Sequence, residues 1–293
     1  MKNLSGKVAF VTGGGSGIGF GLVRTFLQEG MKVVVADASP QRLAEVREAL
    51  RGSNALHLIQ VDVSDRAQMR AAADEAIRHC GKIHVLCNNA GIAGGGAIAD
   101  PEFDDWDKAI AINFGGVVNG VKIIAPLILA HGEGGHIVNT SSMAGIVPLP
   151  DEGGAYTTAK FAIRGLTESL RLSLAPHGVG VSCLCPGLTA SRIMQGPDGE
   201  GNALAREGDA DALFNSMEGA MDPMELAAAV VRGIRDNAPY ILPHGEFVDE
   251  VRGLFGDIVA AFPADQEVPL ARRAFEEKRR DQAEALRHLP VID

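Results

Sequence analysis

The chain has 293 residues, a length that fits one large α/β domain with a tail better than two small domains. Its 46% hydrophobic and 22% charged residues are those of an ordinary core-forming protein and exclude a disordered or collagen-like chain. Lys and Arg number 27 against 37 Asp and Glu, and the net charge of −10 repels phosphate backbones and anionic lipid, so nucleic acid and membrane are not expected partners.

Short β-branched runs alternate with longer amphipathic runs, the pattern of βαβ units and of a parallel sheet covered on both faces. In chain order the predicted strands are 8–11, 32–36, 56–61, 85–87, 136–140 and 179–185, with a seventh at 240–242. The predicted helices between them are 17–29, 40–50, 67–80, 106–130, 155–176 and 222–235. Asp222 and Pro223 are suited to the N-cap and first position of the last of these. The apolar run 121–130 holds Pro126 and is about half the roughly 20 residues a membrane span needs, so it reads as a buried helix. A Gly, Asp and Ser-rich stretch around 190–220 reads as a substrate loop, or lid. Helices at 246–261 and 270–288 form a tail outside the sheet, and the mixed charges of 272–281 read as a solvated face. The expected division is a Rossmann-like dinucleotide-binding and catalytic domain over 1–245 and a helical extension over 246–293.

Cys80, Cys87, Cys183 and Cys185 lie in apolar runs without CxxC spacing and read as reduced core residues. The eight histidines show no HxH or HxxxH spacing, so no metal site is expected. The first ten residues do not have the form of a signal peptide, and the expected location is cytoplasmic.

Directly after the first strand stands Thr12-Gly13-Gly14-Gly15-Ser16-Gly17-Ile18-Gly19, and a helix begins at once. A strand-to-helix turn of this kind puts free backbone N–H groups and the positive helix end beneath a phosphate, and glycines let the backbone come close. A plain tight turn is the competing reading. Asp37 ends the second strand 18 residues beyond Gly19, near the offset at which an acid holds a ribose 2′-hydroxyl. That favours NAD as cofactor over a 2′-phosphorylated nucleotide, although Arg42, a helical turn farther on, is a possible compensator. Asp37 as a strand-end turn acid is the alternative. Asp62 in Val61-Asp62-Val63 is placed either to accept from an adenine amino group or to cap the segment at Ser64.

In Tyr156-Thr157-Thr158-Ala159-Lys160 a tyrosine and a lysine sit four apart on one helix face. A phenol of pKa about 10 is a poor base at neutral pH, and a nearby ammonium favours its phenolate. A drop of about 2 to 3 pH units requires about 3 to 4 kcal/mol, which lysine and an oxidised nicotinamide together can supply. Tyr156 would then exchange a proton with an alcohol oxygen as hydride moves at carbon. Asn139-Thr140-Ser141-Ser142 ends the fifth strand and puts hydroxyls at the same sheet edge.

The Gly-rich loop, Asn88-Asn89-Ala90-Gly91, Asn113, Ser141-Ser142-Met143-Ala144-Gly145, the Tyr156/Lys160 pair and Pro186-Gly187 together resemble the short-chain dehydrogenase/reductase family over about residues 4–242. The resemblance implies a seven-stranded Rossmann-like fold, a small-molecule alcohol or ketone, bulky or apolar, as substrate, and a homodimer or homotetramer. It implies Tyr156 as acid/base, Lys160 on the nicotinamide ribose, Ser142 on the substrate oxygen with Ser141 as the alternative, and Asn113 positioning a water in a proton relay. A helix-kinking amide is the other reading of Asn113. Gly13, Ser16, Gly17, Ile18, Gly19, Asp37, Asp62, Val63, Asn89 and Ala90 would meet the cofactor, with Asn88 bracing the sheet. Pro186, Gly187, the backbone of Thr189 and the hydroxyl of Ser191 would face its carboxamide. Ile146, Val147, Leu149, Met194, Leu204, Phe214 and Met217 are candidates for an apolar substrate pocket, with loop anchoring as their other reading. The segment from Ser142 to Tyr156 is one residue longer than is common in the family, and the chain runs about fifty residues past its usual end. The stretch 236–243 and the tail look like bacterial members that include Cα-dehydrogenases of lignin-derived aryl ethers, a bias toward bulky secondary alcohols.

Overall fold

The structure is a computed structural model and describes residues 1–94, 98–99, 102–150, 153–193, 219–264 and 267–292. Seven parallel strands, β1 (Val8–Thr12), β2 (Lys32–Asp37), β3 (Leu56–Gln60), β4 (Val85–Asn88), β5 (Gly135–Thr140), β6 (Val179–Leu184) and β7 (Tyr240–Ile241), form one sheet. Their order is β3-β2-β1-β4-β5-β6-β7. The order reverses between β1 and β4, which pair from Ala9 opposite Val85 to Val11 opposite Cys87. At such a switch point the loops leaving the two strands diverge and open a crevice at the carboxyl edge.

Apart from the edge strands β3 and β7, the strands are almost wholly buried because helices cover both faces, and alternate residues feed different cores. Ala9, Val11, Val33 and Val35 pack with Leu22, Val23 and Phe26 of α1 (Gly17–Gln28) and Leu226, Val230 and Ile234 of α7 (Pro223–Arg235). Val8, Phe10, Val34 and Ile137 pack on the other face, with Met69 and Ala73 of α3 (Arg66–Cys80) and Ile124 and Ile128 of α5 (Gly116–His131). Three of the helices start where the sequence offers a side-chain acceptor. Ser39 accepts from Arg42 N–H at α2 (Pro40–Ala49), and Asp222 from Met224 N–H at α7. The cap of α3 is Asp65, which takes Ala67 and Gln68 N–H, while Asp62 bonds the Ser64 amide and hydroxyl in a local turn.

The single helix expected over 106–130 is three elements: α4 (Asp104–Ile110), a π turn (Ala111–Gly115) and α5. The whole helical run from Asp104 to His131 is long and apolar enough to cross a membrane by composition, yet Val121, Ile124, Ala125 and Ile128 are buried inside the protein. α6 (Gly154–Leu174) ends two residues earlier than expected, in a 3-10 turn (Ala175–His177). Cys80 is half-buried, not a core residue, while Cys87, Cys183 and Cys185 are buried. Beyond β7, α8 (Val248–Ala260) and α9 (Leu270–Arg287) form a helical extension with no buried residue in either helix. The extension returns to the sheet at its end, where Ile292 N–H donates to Gly178 O at 3.0 Å.

Candidate active site

The loops leaving β1, β2, β4, β5 and β6 enclose a cleft of ≈ 380 Å³ at the carboxyl edge of the sheet. At one end Ser16 is the N-cap of α1 in extended conformation, makes no side-chain cap bond, and is followed by Gly17 at φ +50°. The first N–H groups of α1 are thereby open to an anion. Glycine is required here by contact: a Cβ on Gly13 would stand 2.7 Å from Ala90 Cα, and one on Gly17 2.7 Å from Ser191 Cβ. The loop is fixed from two sides. Asp37, buried at the end of β2, accepts Gly15 N–H at 2.9 Å and Ser39 N–H at 3.0 Å, so it serves the turn and also lines the cleft. Thr12 Oγ1 accepts the amides of Asn89 and Ala90 at 2.9 and 3.1 Å, tying β1 to β4 across the switch point.

At the other end Ser142, Tyr156 and Lys160 meet in the cleft wall. Lys160 is 3% exposed; its ammonium donates to Thr140 O at 3.1 Å and stands 5.3 Å from the Tyr156 ring centre. Burial lowers its pKa to about 8, with Cys183 and Cys185 opposing. In the chain alone, burial raises the pKa of Tyr156, and the hydrogen bond from Ser142 only partly opposes that rise. The Lys160 ammonium is turned to a backbone carbonyl, so the chain by itself holds the phenol protonated. Ser141 is given to the scaffold, its hydroxyl donating to Lys160 O at 2.8 Å, which leaves Ser142 beside Tyr156.

Two of the expected residues stand behind the wall. Gly19 is buried under the loop, where a Cβ would be 2.0 Å from Gly13 O. Asn113 is fully buried in the π turn, with its amide paired to both backbone groups of Ile92, at 3.1 and 3.0 Å. A Cβ on Gly91 would fall 2.7 Å from Asn113 Oδ1 and 3.6 Å from Lys160 Nζ, so the glycine keeps a gap open between them. Asp62, Val63, Ile18, Pro186, Gly187, Thr189 and Ser191 all line the cleft. Asn88 instead bonds Asn139 Oδ1 at 2.8 Å, away from the cleft. Sequence reasoning missed Lys108 and Arg192 as lining residues, and placed Arg42 too far away: it stands beside Asp37 and Gly15. Of the expected substrate-pocket residues, Ile146 and Val147 pack with Met143, Cys183, Phe247 and Val251 beneath α8, and Leu149 is 48% exposed. Met194, Leu204, Phe214 and Met217, with most of the expected lid, lie outside the described residues. Among the described residues one cluster has metal-ligand chemistry, His84, His131 and Glu133, at the opposite end of the sheet. Its four ring nitrogens already bond Val8 N–H, Glu133 and Ile83 O.

The family model for short chain dehydrogenases matches residues 7–200. The chain belongs to that family. It is 34% identical over 278 residues to a Cα-dehydrogenase of Sphingobium sp. strain SYK-6, covering 91% of each chain. A 3β-hydroxysteroid dehydrogenase 2 of Eggerthella lenta is 34% identical, over 81% of this chain and 91% of that one. Among solved structures, a short chain dehydrogenase/reductase of Burkholderia phymatum in complex with NAD superposes with TM-score 0.81 at 33% identity, covering 92% of this chain and 100% of the other. This short-chain dehydrogenase is therefore an oxidoreductase acting on hydroxyl and carbonyl groups with a nicotinamide dinucleotide.

Proposed function

We propose that the protein is an NAD-dependent dehydrogenase interconverting a bulky secondary alcohol and its ketone. The observation that carries this reading is one cleft holding Asp37 at one end and Ser142, Tyr156 and Lys160 at the other. The glycine cradle and the uncapped start of α1 fit a dinucleotide pyrophosphate, and Asp37 fits a ribose diol. NAD bound there supplies the hydride acceptor. Ser142 holds the substrate oxygen, Tyr156 takes the hydroxyl proton as hydride leaves the carbinol carbon, and Lys160 holds the ribose and tunes the phenol. Asn113 steadies the loop through Ile92 and lies on the relay side of Lys160.

Arg42 beside Asp37 favours a second reading, an NADPH-dependent carbonyl reductase, because a guanidinium offsets the repulsion between a carboxylate and a 2′-phosphate. The names of the two relatives support a bulky aryl or alicyclic substrate. The extension leaves Phe262 72%, Leu270 80% and Phe275 67% exposed, which supports a homodimer or homotetramer burying them. Lysine at Phe262 and Leu270 should then reduce the mass seen by light scattering. Four free cysteines support a cytoplasmic location.

The test is reduction of NAD and NADP in parallel over aliphatic, alicyclic, steroid and aryl secondary alcohols, with Tyr156→Phe as control. Turnover with NAD on one class, lost about a thousandfold or more in the variant while NADH still binds, is the expected result. Preference for NADP, or an active Tyr156→Phe, refutes it.

A further inference from the structure

The segment leaving β6 is held by a residue from beyond β7. Gly187 N–H donates to His244 Nδ1 at 3.0 Å, and His244 Nε2 lies 3.1 Å from Leu188 O. Since Nδ1 accepts, the ring proton is on Nε2, which donates to Leu188 O. Both nitrogens of one 7% exposed imidazole thus grip two consecutive residues, through the amide of one and the carbonyl of the next. The contact is close enough to require glycine: a Cβ on Gly187 would stand 2.9 Å from the His244 ring and from Phe247 Cε2. The other end of the peptide that carries Gly187 N–H is held as well: Pro186 O accepts Met143 N–H at 2.9 Å and lies 3.5 Å from Ser142 Oγ. Gly187 and Leu188 themselves line the cleft.

We propose that His244 is a positioning residue, whose Nδ1 acceptor for Gly187 N–H, with the ring steadied by Leu188 O, sets the backbone that the nicotinamide end of the cofactor meets. The proposal rests on the reading of the cleft as an NAD site. A ring that only filled space would need neither nitrogen, whereas this one satisfies an inward amide and a carbonyl that would otherwise relax the segment away from the cleft. Asparagine can present an acceptor near Nδ1, glutamine a donor near Nε2, and phenylalanine keeps the ring alone.

The experiment measures KM for NAD, kcat, NADH binding and thermal midpoint in the full chain and in His244→Phe, His244→Gln and His244→Asn. His244→Phe and His244→Gln should raise KM for NAD about tenfold, about 1.4 kcal/mol, with kcat changed less than about threefold. His244→Asn, which keeps the acceptor for Gly187, should stay within about threefold of the parent. If one variant does not fold, the comparison of Asn with Gln still decides. Equal KM values for Asn and Gln, or changes that follow the thermal midpoint alone, overturn the role of His244. A parent protein that binds no NADH overturns the cofactor reading and the proposal with it; a parent that binds NADH beside an unaffected His244→Phe overturns the proposal only.

Discussion

Replacing Lys160 with methionine should stabilise the fold while removing turnover. Burial lowers the Lys160 pKa from its ordinary 10.5 to about 8, in a side chain 3% exposed. Between those values the unfolded chain holds a proton that the folded chain has lost, so stability rises with pH across that window and the full penalty is present below about pH 8. At about 1.36 kcal/mol per pH unit the penalty at neutral pH is about 3 kcal/mol. Methionine fills similar volume without charge but gives up the 3.1 Å bond to Thr140 O, a loss of about 1 kcal/mol. The variant should therefore be more stable by about 2 kcal/mol at pH 7, with the difference nearly closed by pH 9.5. Urea unfolding of both proteins at the two pH values reads this directly. A variant less stable at pH 7, or a difference that does not change with pH, refutes the argument that a buried charge is held in the site at a cost to the fold.

Two further outcomes concern the scaffold. A Cβ on Gly120 would stand 2.0 Å from Asn88 Oδ1, so Gly120→Ala must part α5 from β4 and strain the Asn88–Asn139–Thr167 chain; a loss of about 2 to 3 kcal/mol is expected in urea unfolding. His136 is fully buried with its pKa lowered to about 3, chiefly by burial, so the unfolded chain takes up a proton between pH 6.5 and 3 that the folded one refuses. Stability should fall with acidity across that window, and His136→Leu should flatten the fall, as measured by urea midpoints at pH 7, 5.5 and 4.5.

The sheet was legible because its strands are apolar runs separated by helix caps and glycines, and two-sided burial leaves little freedom in where such runs go. The ends of the cleft were legible because Gly13, Gly17 and the Tyr156/Lys160 pair have spacings fixed by local geometry. Contacts between distant segments left no such pattern. Arg42 reaches the cleft because the loop after β1 curls back over α2, and His244 meets Gly187 only because β7 lies beside β6. At Asn113 a helix-kinking amide is one of two readings, but the form of the break, a π turn, was not legible, because an extra residue in a helical turn leaves the apolar pattern nearly unchanged and the pairing of Asn113 with Ile92 is a contact between distant segments. The downward shift expected for Tyr156 counts an oxidised nicotinamide's charge beside the lysine; in the chain alone the ammonium turns to Thr140 O and burial raises the phenol, a contact that the four-residue spacing does not display.

The raised phenol of the cofactor-free chain has a measurable consequence. The chain holds two tyrosines, Tyr156 and Tyr240, and burial raises both, Tyr240 to about 12. Cofactor-free protein should therefore show phenolate absorbance only above the range of an ordinary tyrosine, and the difference between the parent and Tyr156→Phe should remain flat through neutral pH. Tyr156 so held is an acid ready to give a proton to a ketone oxygen, and it becomes a base for alcohol oxidation only when positive charge is added to the cleft. Saturating NAD, whose ring carries that charge, should bring the onset of the difference spectrum down by about 2 pH units, equivalent to about 3 kcal/mol. NADH, without the charge, should leave it in place. A phenolate already present near neutral pH without cofactor, or equal shifts with NAD and NADH, would show that Lys160 alone tunes the tyrosine, and would assign the activation to the four-residue spacing that the sequence first displayed.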